Sequence, residues 1–289
     1  APALPPPPWP AQNLNQRGDE TTPQPYTARH GVYLVEAAIA NADLTLVTSR
    51  ELYRLKSPFT DQIEILNNAA DIAIFKKALD IDYPKPDVIK DIKGKIIGFI
   101  GNLDAIRVNY PLIQKTAVAH PEKTIVLVGP INNEIYREIG LDQMPNVIFT
   151  GGMPIEALPP YLRYFDCTII PFHCNTLTKS IYPLKINEYL AAGKAVVATN
   201  FSPDIEGFKS QLFLANDEEE FVQLIDPAIA AHSETAIANR IATAKTNTWK
   251  ARIEQFWDFV NPRLPQHVAP QRHEPLVSLV ESTTKEIRS

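Results

Sequence analysis

The stretch that decides the fold of this chain runs from Pro183 to Val197 and reads PLKINEYLAAGKAVV. Proline is favoured in the first turn of a helix, where an N–H group would have no partner, so Pro183 predicts a helix start. Gly193 predicts the left-handed residue just past the helix end. The apolar, β-branched residues that follow Lys194, up to Thr199, predict a buried strand. A helix followed at once by a buried strand is typical of an α/β protein with a parallel sheet.

This predicted helix carries a lysine and a carboxylate near its start. Lys185 and Glu188 are three residues apart, so they share one face. One interpretation is a surface ion pair, which contributes only a few tenths of a kcal/mol. Such a pair needs neither the proline before it nor the strand after it. Because helix N-termini bind anions, the pattern favours a site for a nucleotide diphosphate.

The chain on either side repeats the alternation of strand and helix. Strands are predicted at 95–100, 124–129, 146–150, 167–171, 195–199 and 211–214, and helices at 110–119, 132–139, 155–164, 184–192, 217–225, 234–246 and 249–260. Apolar strands that alternate with helices predict an α/β fold with a Rossmann-like parallel sheet, covered by helices on both faces.

The segments before this alternating region differ from it in composition. Residues 1–29 hold eight of the 26 prolines and predict a disordered leader. Residues 30–81 predict a structured segment of helices and strands. Its predicted elements are a helix over 33–42, a strand over 44–47, a helix that begins at a Thr48–Glu51 capping box, and a strand over 63–66. Residues 82–94 predict a linker, 95–260 the main domain, and 261–289 a flexible tail with a last helix around 276–287.

Bulk properties exclude several classes of protein. The net charge of −5 argues against a protein that binds nucleic acid through a basic surface. No apolar run approaches the roughly 18 residues of a membrane span, and no signal-peptide pattern is present. Cys167 and Cys174 do not make a disulfide framework, which favours a reducing cytoplasm. His173 and Cys174 are adjacent and lack the spacing of a zinc site, so no metal is expected.

The stretch at 183–197 resembles the donor-site helix of retaining GT-B glycosyltransferases, the glycosyl transferases group 1 or family 4-like enzymes. The family pattern is P-x-K-x-x-E-Y-L-A-x-G-K-P-V-V, and this chain has Ala195 where proline is usual. The segment 68–75 resembles the family's N-G-V-D-x-x-x-F, and 42–49 its A-D-x-V-x-x-x-S strand. The resemblance covers about residues 30–260. It implies that 95–260 is the nucleotide-sugar donor domain and that 30–81 is the end of a truncated, acceptor-side N-terminal domain.

The resemblance also implies roles for individual residues. Glu188 would bind the ribose hydroxyls of the donor, and Lys185 with Arg107 would neutralise its diphosphate; an exposed, uninvolved Arg107 is an equal alternative. Ser180 stands where the wider family often has a glutamate near the transferred sugar. The remaining donor-binding residues are expected in the glycine turn after the first strand of the domain, in the loop after 167–171, and at the helix start. They are Gly101, Asn102, Pro171, Phe172, Asn175, Thr176, Ser180, Pro183 and Leu184.

Two functions from different classes remain open. The first is a cytoplasmic glycosyltransferase that moves a sugar from a nucleoside diphosphate to a hydroxyl of a glycan or lipid-linked acceptor, in bacterial polysaccharide or cell-envelope synthesis. It would need no metal or cofactor, bind no nucleic acid, and associate peripherally with the inner face of the plasma membrane. The second is a nucleotide-sugar-binding module that is inactive without the missing N-terminal domain. An epimerase of the same architecture lacks a convincing set of carboxylates.

Overall fold

The structure, a computed structural model, describes residues 14–17 and 25–264, with side chains from Tyr33 onward. Within these residues the chain forms two parallel sheets. One has three strands in the order β1-β2-β3, and the other has six in the order β6-β5-β4-β7-β8-β9. The α/β class and the parallel main sheet are as the sequence predicts.

The elements of the first part of the chain surround the small sheet. They are β1 (Leu14–Arg17), α1 (Pro25–Ala40), β2 (Leu44–Val47), α2 (Arg50–Lys56), β3 (Ile63–Ile65) and α3 (Ile72–Asp80). Short 3-10 turns occupy Ser57–Phe59 and Asp87–Ile89.

The elements of the main domain follow. They are β4 (Ile96–Ile100), α4 (Tyr110–Ala119), β5 (Thr124–Val128), α5 (Ile135–Glu138), β6 (Val147–Gly151), α6 (Pro159–Tyr164), β7 (Cys167–Ile170), α7 (Thr176–Lys179), α8 (Leu184–Ala191), β8 (Val196–Thr199), β9 (Phe213–Ala215), α9 (Glu218–Gln223), α10 (Ile225–Ala230), α11 (Glu234–Lys245) and α12 (Trp249–Val260). Further 3-10 segments are Leu141–Gln143, Ile155–Ala157, Pro203–Gln211 and Asn261–Arg263.

The strand order of the main sheet fixes where a ligand would bind. From β4 the chain moves outward through β5 and β6, and then returns to place β7 on the other side of β4. In open parallel sheets, such a reversal leaves a crevice beyond the carboxyl ends of the two central strands. The turns after Ile100 and after Ile170 therefore face one crevice.

The centre of the main sheet is buried on both faces. All five residues of β4 are buried, as expected for a strand between two layers of helices. Gly98 lies within β4 because a Cβ atom there would come within 1.9 Å of the Phe165 ring.

The predicted disordered leader differs from the structure at two places. Residues 14–17 form β1, where Leu14 pairs with Leu44 of β2, and α1 begins at Pro25 rather than at Tyr33. The strand rests on backbone pairing with β2 and not on an apolar pattern of its own, and Pro25 takes the first helical position that proline favours. The other residues of 1–24 and the predicted tail from 265 on, with its helix at 276–287, lie outside the described residues.

One helix from each half of the chain packs against the sheet of the other half. Helix α3 belongs to the large core, where Phe75 and Ala78 are buried, although it precedes the linker. Helix α12 packs instead on the small sheet, where its apolar side contacts Leu44, Leu46 and Leu66. We call β1–β3 with α1, α2 and α12 the first lobe, and β4–β9 with α3–α11 the second lobe. The predicted linker 82–94 runs between them along α6, where Tyr164 Oη donates to Tyr83 O at 2.5 Å.

In the part of the chain that the structure describes, no helix combines the length and the apolar character that crossing a bilayer requires.

Candidate functional site

Helix α8 is defined at both ends by the residues that predicted it. Pro183 is the N-cap, one position before the first helical residue, and not a member of the first turn. At the other end Gly193 has a φ of 69°, and its N–H donates to Leu190 O at 3.0 Å while Lys194 N donates to Tyr189 O at 3.0 Å. These two bonds are the Schellman arrangement, so the predicted glycine stop is confirmed.

The hydroxyl of Tyr189 fixes α8 against the carboxyl end of β4. Ile100 N donates to Tyr189 Oη at 2.8 Å, and the same hydroxyl donates to Ile100 O at 3.2 Å. Burial raises the pKa of Tyr189, so the phenol stays neutral and can make both bonds. Sequence reasoning missed this role, although a fully buried tyrosine within an otherwise apolar helix face requires a hydrogen-bond partner.

The glycine turn after β4 and the lysine of α8 lie together, as the sequence predicts. Gly101 has a φ of 145°, and a Cβ atom there would come within 2.2 Å of Lys185 Nζ. Gly129, at the end of β5, has a φ of 150°, and its Cβ would come within 1.9 Å of Gly101 O. Glycine at 101 therefore leaves room for the ammonium group of Lys185, and glycine at 129 lets the two turns approach each other.

Lys185 and Glu188 are half-buried charges. Among residues 33–264, neither side chain makes a hydrogen bond or an ion pair within 4.0 Å. Lys185 Nζ lies against the backbone of Gly101 and 5.8 Å from the centroid of the Phe99 ring.

Burial dominates the protonation of this pair. It lowers the pKa of Lys185, which the Glu188 charge raises and the Arg107 charge lowers. It also raises the pKa of Glu188, which the Lys185 charge opposes. A charge that is removed from water without a compensating partner is costly, and perturbed groups of this kind cluster at functional sites. A ligand that brings phosphate to Lys185 and hydroxyls to Glu188 would compensate both.

Arg107 lies beside this pair but already has a partner. Its Nε and Nη2 donate to Asp104 Oδ2 at 3.2 and 3.1 Å. Its carbonyl accepts from His173 N at 2.8 Å, which joins the turn after β4 to the loop after β7. Asp104 also accepts from Ile106 N at 2.9 Å through Oδ1, so its side chain caps the turn.

The loop after β7 carries polar residues that mostly bond within the protein. Asn175 Oδ1 accepts from Thr178 N at 2.9 Å and Thr178 Oγ1 accepts from Asn175 N at 3.0 Å, a capping box that begins α7. Asn175 Nδ2 donates to Ile106 O at 3.2 Å, and the buried Ser180 hydroxyl donates to Thr176 O at 3.3 Å. Asn175 and Ser180, both predicted to bind the donor, therefore make structural contacts. Their role toward a ligand stays a prediction.

The other predicted residues lie in the turn after β4, in the loop after β7 and at the start of α8. Asn102 and Thr176 are exposed, and Leu184 is half-buried at the first position of α8. Pro171 O accepts from Asn109 N at 2.8 Å, and the Phe172 ring packs 5.0 Å from that of Phe201. These two residues shape the wall of the crevice.

Lys115, the basic residue that follows Arg107 along the chain, lies outside this site. It pairs with Glu219 and, at 3.6 Å, with Glu218, so it joins α4 to α9. No cluster of three or more histidine, cysteine, aspartate or glutamate side chains suited to a metal ion occurs among the residues described here.

Comparison with known proteins agrees with this geometry. Residues 94–230 match the family model for glycosyl transferases group 1. A Bacillus subtilis (strain 168) protein, TuaH, named as a candidate teichuronic acid biosynthesis glycosyltransferase, is 25% identical over 206 residues; the match covers 69% of this chain and 51% of the relative. This chain thus spans about half the length of that curated relative.

Solved structures share the fold at low identity. HepE of Anabaena, crystallised with UDP and glucose, has a TM-score of 0.65 at 16% identity. The match covers 86% of this chain and 71% of the HepE chain. Sucrose-phosphate synthase of Thermosynechococcus elongatus has a TM-score of 0.65 at 17% identity, covering 86% and 67%. A trehalose 6-phosphate synthase of Burkholderia multivorans has a TM-score of 0.68 at 12% identity, covering 86% and 66%. Residues 94–230 thus match the family model for glycosyl transferases group 1, and the chain shares the GT-B fold of these solved structures.

Proposed function

We propose that this chain binds a nucleoside diphosphate sugar at the N-terminal end of α8 and transfers the sugar to an acceptor hydroxyl. The observation that carries the proposal is the pair of half-buried charges, Lys185 and Glu188, at the crevice where the strand order reverses; neither has a hydrogen bond or an ion pair among residues 33–264. HepE, which shares the fold, was crystallised with UDP and with UDP-glucose, which supports a nucleotide-sugar ligand here.

The proposed roles follow from charge and geometry. The Glu188 carboxylate has two acceptor oxygens, which suit two adjacent ribose hydroxyls. Lys185, Arg107 and the amides at the start of α8 place positive potential where the departing diphosphate gains charge. The bond from the anomeric carbon to the phosphate oxygen breaks, and a bond to the acceptor oxygen forms. The acceptor's proton passes to the departing phosphate, so neither a metal nor a protein nucleophile takes part.

The acceptor and the location of the reaction are further parts of the proposal. TuaH is named for teichuronic acid biosynthesis, which supports a glycan or lipid-linked acceptor of the bacterial envelope. We place the protein in the cytoplasm, peripherally at the inner face of the plasma membrane, with no nucleic-acid partner. Cosedimentation with vesicles of anionic and of neutral lipid tests the membrane contact, and a protein that stays in the supernatant of both contradicts it.

Calorimetric titration with UDP, GDP, ADP and dTDP tests the binding site. We expect one nucleotide to bind and Glu188→Ala to weaken it by about 10- to 150-fold, the range for a hydrogen bond to a charged group. Glu206→Ala is the matched control, because Glu206 also forms part of an i,i+3 pair with a lysine but is exposed. Absence of binding to all four nucleotides, or equal effects of the two substitutions, would refute the site.

A second function uses the same site. Because Lys185 and Glu188 both lie on α8, the chain could bind the donor there without transferring the sugar. Release of free nucleoside diphosphate that depends on added acceptor distinguishes the two functions. Donor binding that is lost in Glu188→Ala, without any such release, would identify a binding module.

A further inference from the structure

The contact between the two lobes contains two buried carboxylates, one from each lobe. Glu51 lies on α2 of the first lobe with 8% of its side chain exposed, and Asp204 lies in the 3-10 segment of the second lobe with 5% exposed. Buried carboxylates are rare unless they are paired. Each of these two has a partner in the opposite lobe.

Glu51 is held by cations on both sides of the contact. Arg54 of the same helix donates through Nε to Oε2 and through Nη2 to Oε1, both at 2.8 Å. Lys179 Nζ, from α7 of the second lobe, lies 3.3 Å from Oε1. The Arg54 bonds first, and then Lys179, hold the pKa of Glu51 at about 2, so the carboxylate is charged at every physiological pH.

The sequence pattern had suggested another role for this glutamate. A capping box between Thr48 and Glu51 is not formed, because the N-cap of α2 is Ser49, whose Oγ accepts from Leu52 N at 3.2 Å. The Glu51 side chain instead turns to the second lobe, a choice that no local spacing predicts.

Asp204 makes the reciprocal contact. Its Oδ2 accepts from Arg50 N, the first amide of α2, at 3.0 Å, and its Oδ1 lies 3.9 Å from Arg50 Nε. A carboxylate from the second lobe therefore sits at the N-terminus of α2, where helix amides favour negative charge. The two contacts together fix α2 against the second lobe.

Lys179 connects this contact to the candidate site. It is the last residue of α7, whose first turn is tied through Asn175 to the turn after β4. Ser180 follows at once, and three residues later Pro183 caps the start of α8. A displacement of Lys179 would therefore move the short segment that joins the carboxyl end of β7 to α8, the helix with Lys185 and Glu188.

We propose that Glu51 is a positioning residue: through Lys179 it holds segment 173–183 against the first lobe, so that the placement of that lobe and the geometry of the donor site are coupled. The first test below is independent of the proposed function, and only the second rests on it.

Hydrogen exchange of the free protein tests the coupling directly. The amides of Lys179, Ser180 and Ile181 are hydrogen-bonded to Asn175, Leu177 and Thr178 carbonyls. In Glu51→Gln and in Lys179→Met we expect these amides to exchange about two- to fivefold faster, as loss of a partly exposed ion pair allows. The double variant should exchange no faster than the singles, and Lys179→Arg should exchange as the wild type does.

The control is Lys90→Met, which removes an exposed lysine from an i,i+3 pair with Asp87. Unchanged exchange in 179–181, or effects of the two single variants that add in the double, would overturn the proposal. Because the Lys179 side chain is half-exposed, we expect Lys179→Met to fold. It therefore tests the proposal even if Glu51→Gln does not fold.

Nucleotide affinity gives a second readout. For whichever of UDP, GDP, ADP or dTDP the wild type binds, we expect the dissociation constant to rise about two- to fivefold in Glu51→Gln and Lys179→Met and to stay unchanged in Lys90→Met. An unchanged constant in both variants would overturn the coupling. A wild type that binds none of the four refutes the proposed function, and the exchange measurement then decides the coupling alone.

Discussion

Helix α8 and the loop that precedes it both contain residues that the sequence predicts to bind the donor, but their polar groups are used differently. The charges of Lys185 and Glu188 are half-buried and have no hydrogen bond or ion pair among the described residues. In the loop, the side chains of Asn175, Thr178 and Ser180 all bond to neighbouring backbone.

This difference in hydrogen bonding distinguishes polar groups that stabilise the fold from polar groups that are available to bind a ligand. A satisfied hydrogen bond in the loop lowers the free energy of the folded state by about 0.5–1.5 kcal/mol. A desolvated charge without a partner raises that free energy, and proteins retain such charges mainly at functional sites. Substitutions in α8 should therefore affect binding, and substitutions in the loop should affect stability.

The largest expected effect is on nucleotide affinity in Lys185→Met. Methionine keeps most of the length of the side chain but removes the charge that lies against the glycine turn. We expect the dissociation constant of the bound nucleoside diphosphate to rise about 10- to 150-fold, since the lost contact is a hydrogen bond between charged groups. The affinity for the same nucleoside without phosphates should change by less than about threefold, which calorimetry on both ligands measures.

Lys209→Met is the control for this variant, because Lys209 pairs with Glu206 on the surface at 3.2 Å. An equal loss of affinity for nucleoside and nucleoside diphosphate would show that Lys185 supports the fold of the site and does not contact the phosphates.

A smaller effect, on stability, is expected in Asn175→Ala. The change removes the side-chain oxygen that caps α7 and the amide that bonds Ile106 O. Loss of an N-cap costs about 1 kcal/mol, so the free energy of unfolding in denaturant should fall by roughly that amount. The affinity for nucleoside diphosphate should fall far less than in Lys185→Met.

Asn200→Ala is the matched control, since its side chain makes one exposed contact with Asn216 at 3.4 Å. If Asn175→Ala instead abolished nucleotide binding while leaving stability unchanged, Asn175 would be a ligand residue and the contrast between loop and helix would fail.

Much of the second lobe was predictable because its signals are local. The run Ile96–Ile100 is short, rich in isoleucine and followed by Gly101, which favours a buried strand, and Gly193 marks a helix end by its backbone conformation. The site helix was predictable for the same reason, since Pro183, Lys185, Glu188 and Gly193 lie within one short stretch.

The elements that sequence reasoning missed depend on partners far along the chain. Helix α7 has only four residues and forms because Asn175 and Thr178 cap each other, which no apolar period reveals. Strand β1 needs β2 as its partner, and the contact of Glu51 with Lys179 joins residues 128 positions apart. The Tyr189 hydroxyl likewise bonds a strand 89 positions away.

The smallest expected effect is on the pH dependence of stability in Glu188→Gln, and its sign follows from the direction of the pKa shift of Glu188. Burial raises the pKa of Glu188, so over the range from about pH 4.5, its ordinary pKa, to its raised value the folded state binds more protons than the unfolded state. Stability contributed by this group is therefore present at low pH and is lost as pH rises through that range.

Glu188→Gln cannot titrate, so the ligand-free variant should match the wild type near pH 4 and be more stable, by a few tenths of a kcal/mol, near pH 7. Denaturant unfolding of both proteins across this range measures the difference in the free energy of unfolding. Glu206→Gln, at an exposed glutamate, is the control. A variant that is less stable than the wild type at pH 7 would mean that Glu188 has a stabilising partner in the free protein, and the distinction between α8 and its preceding loop would no longer hold.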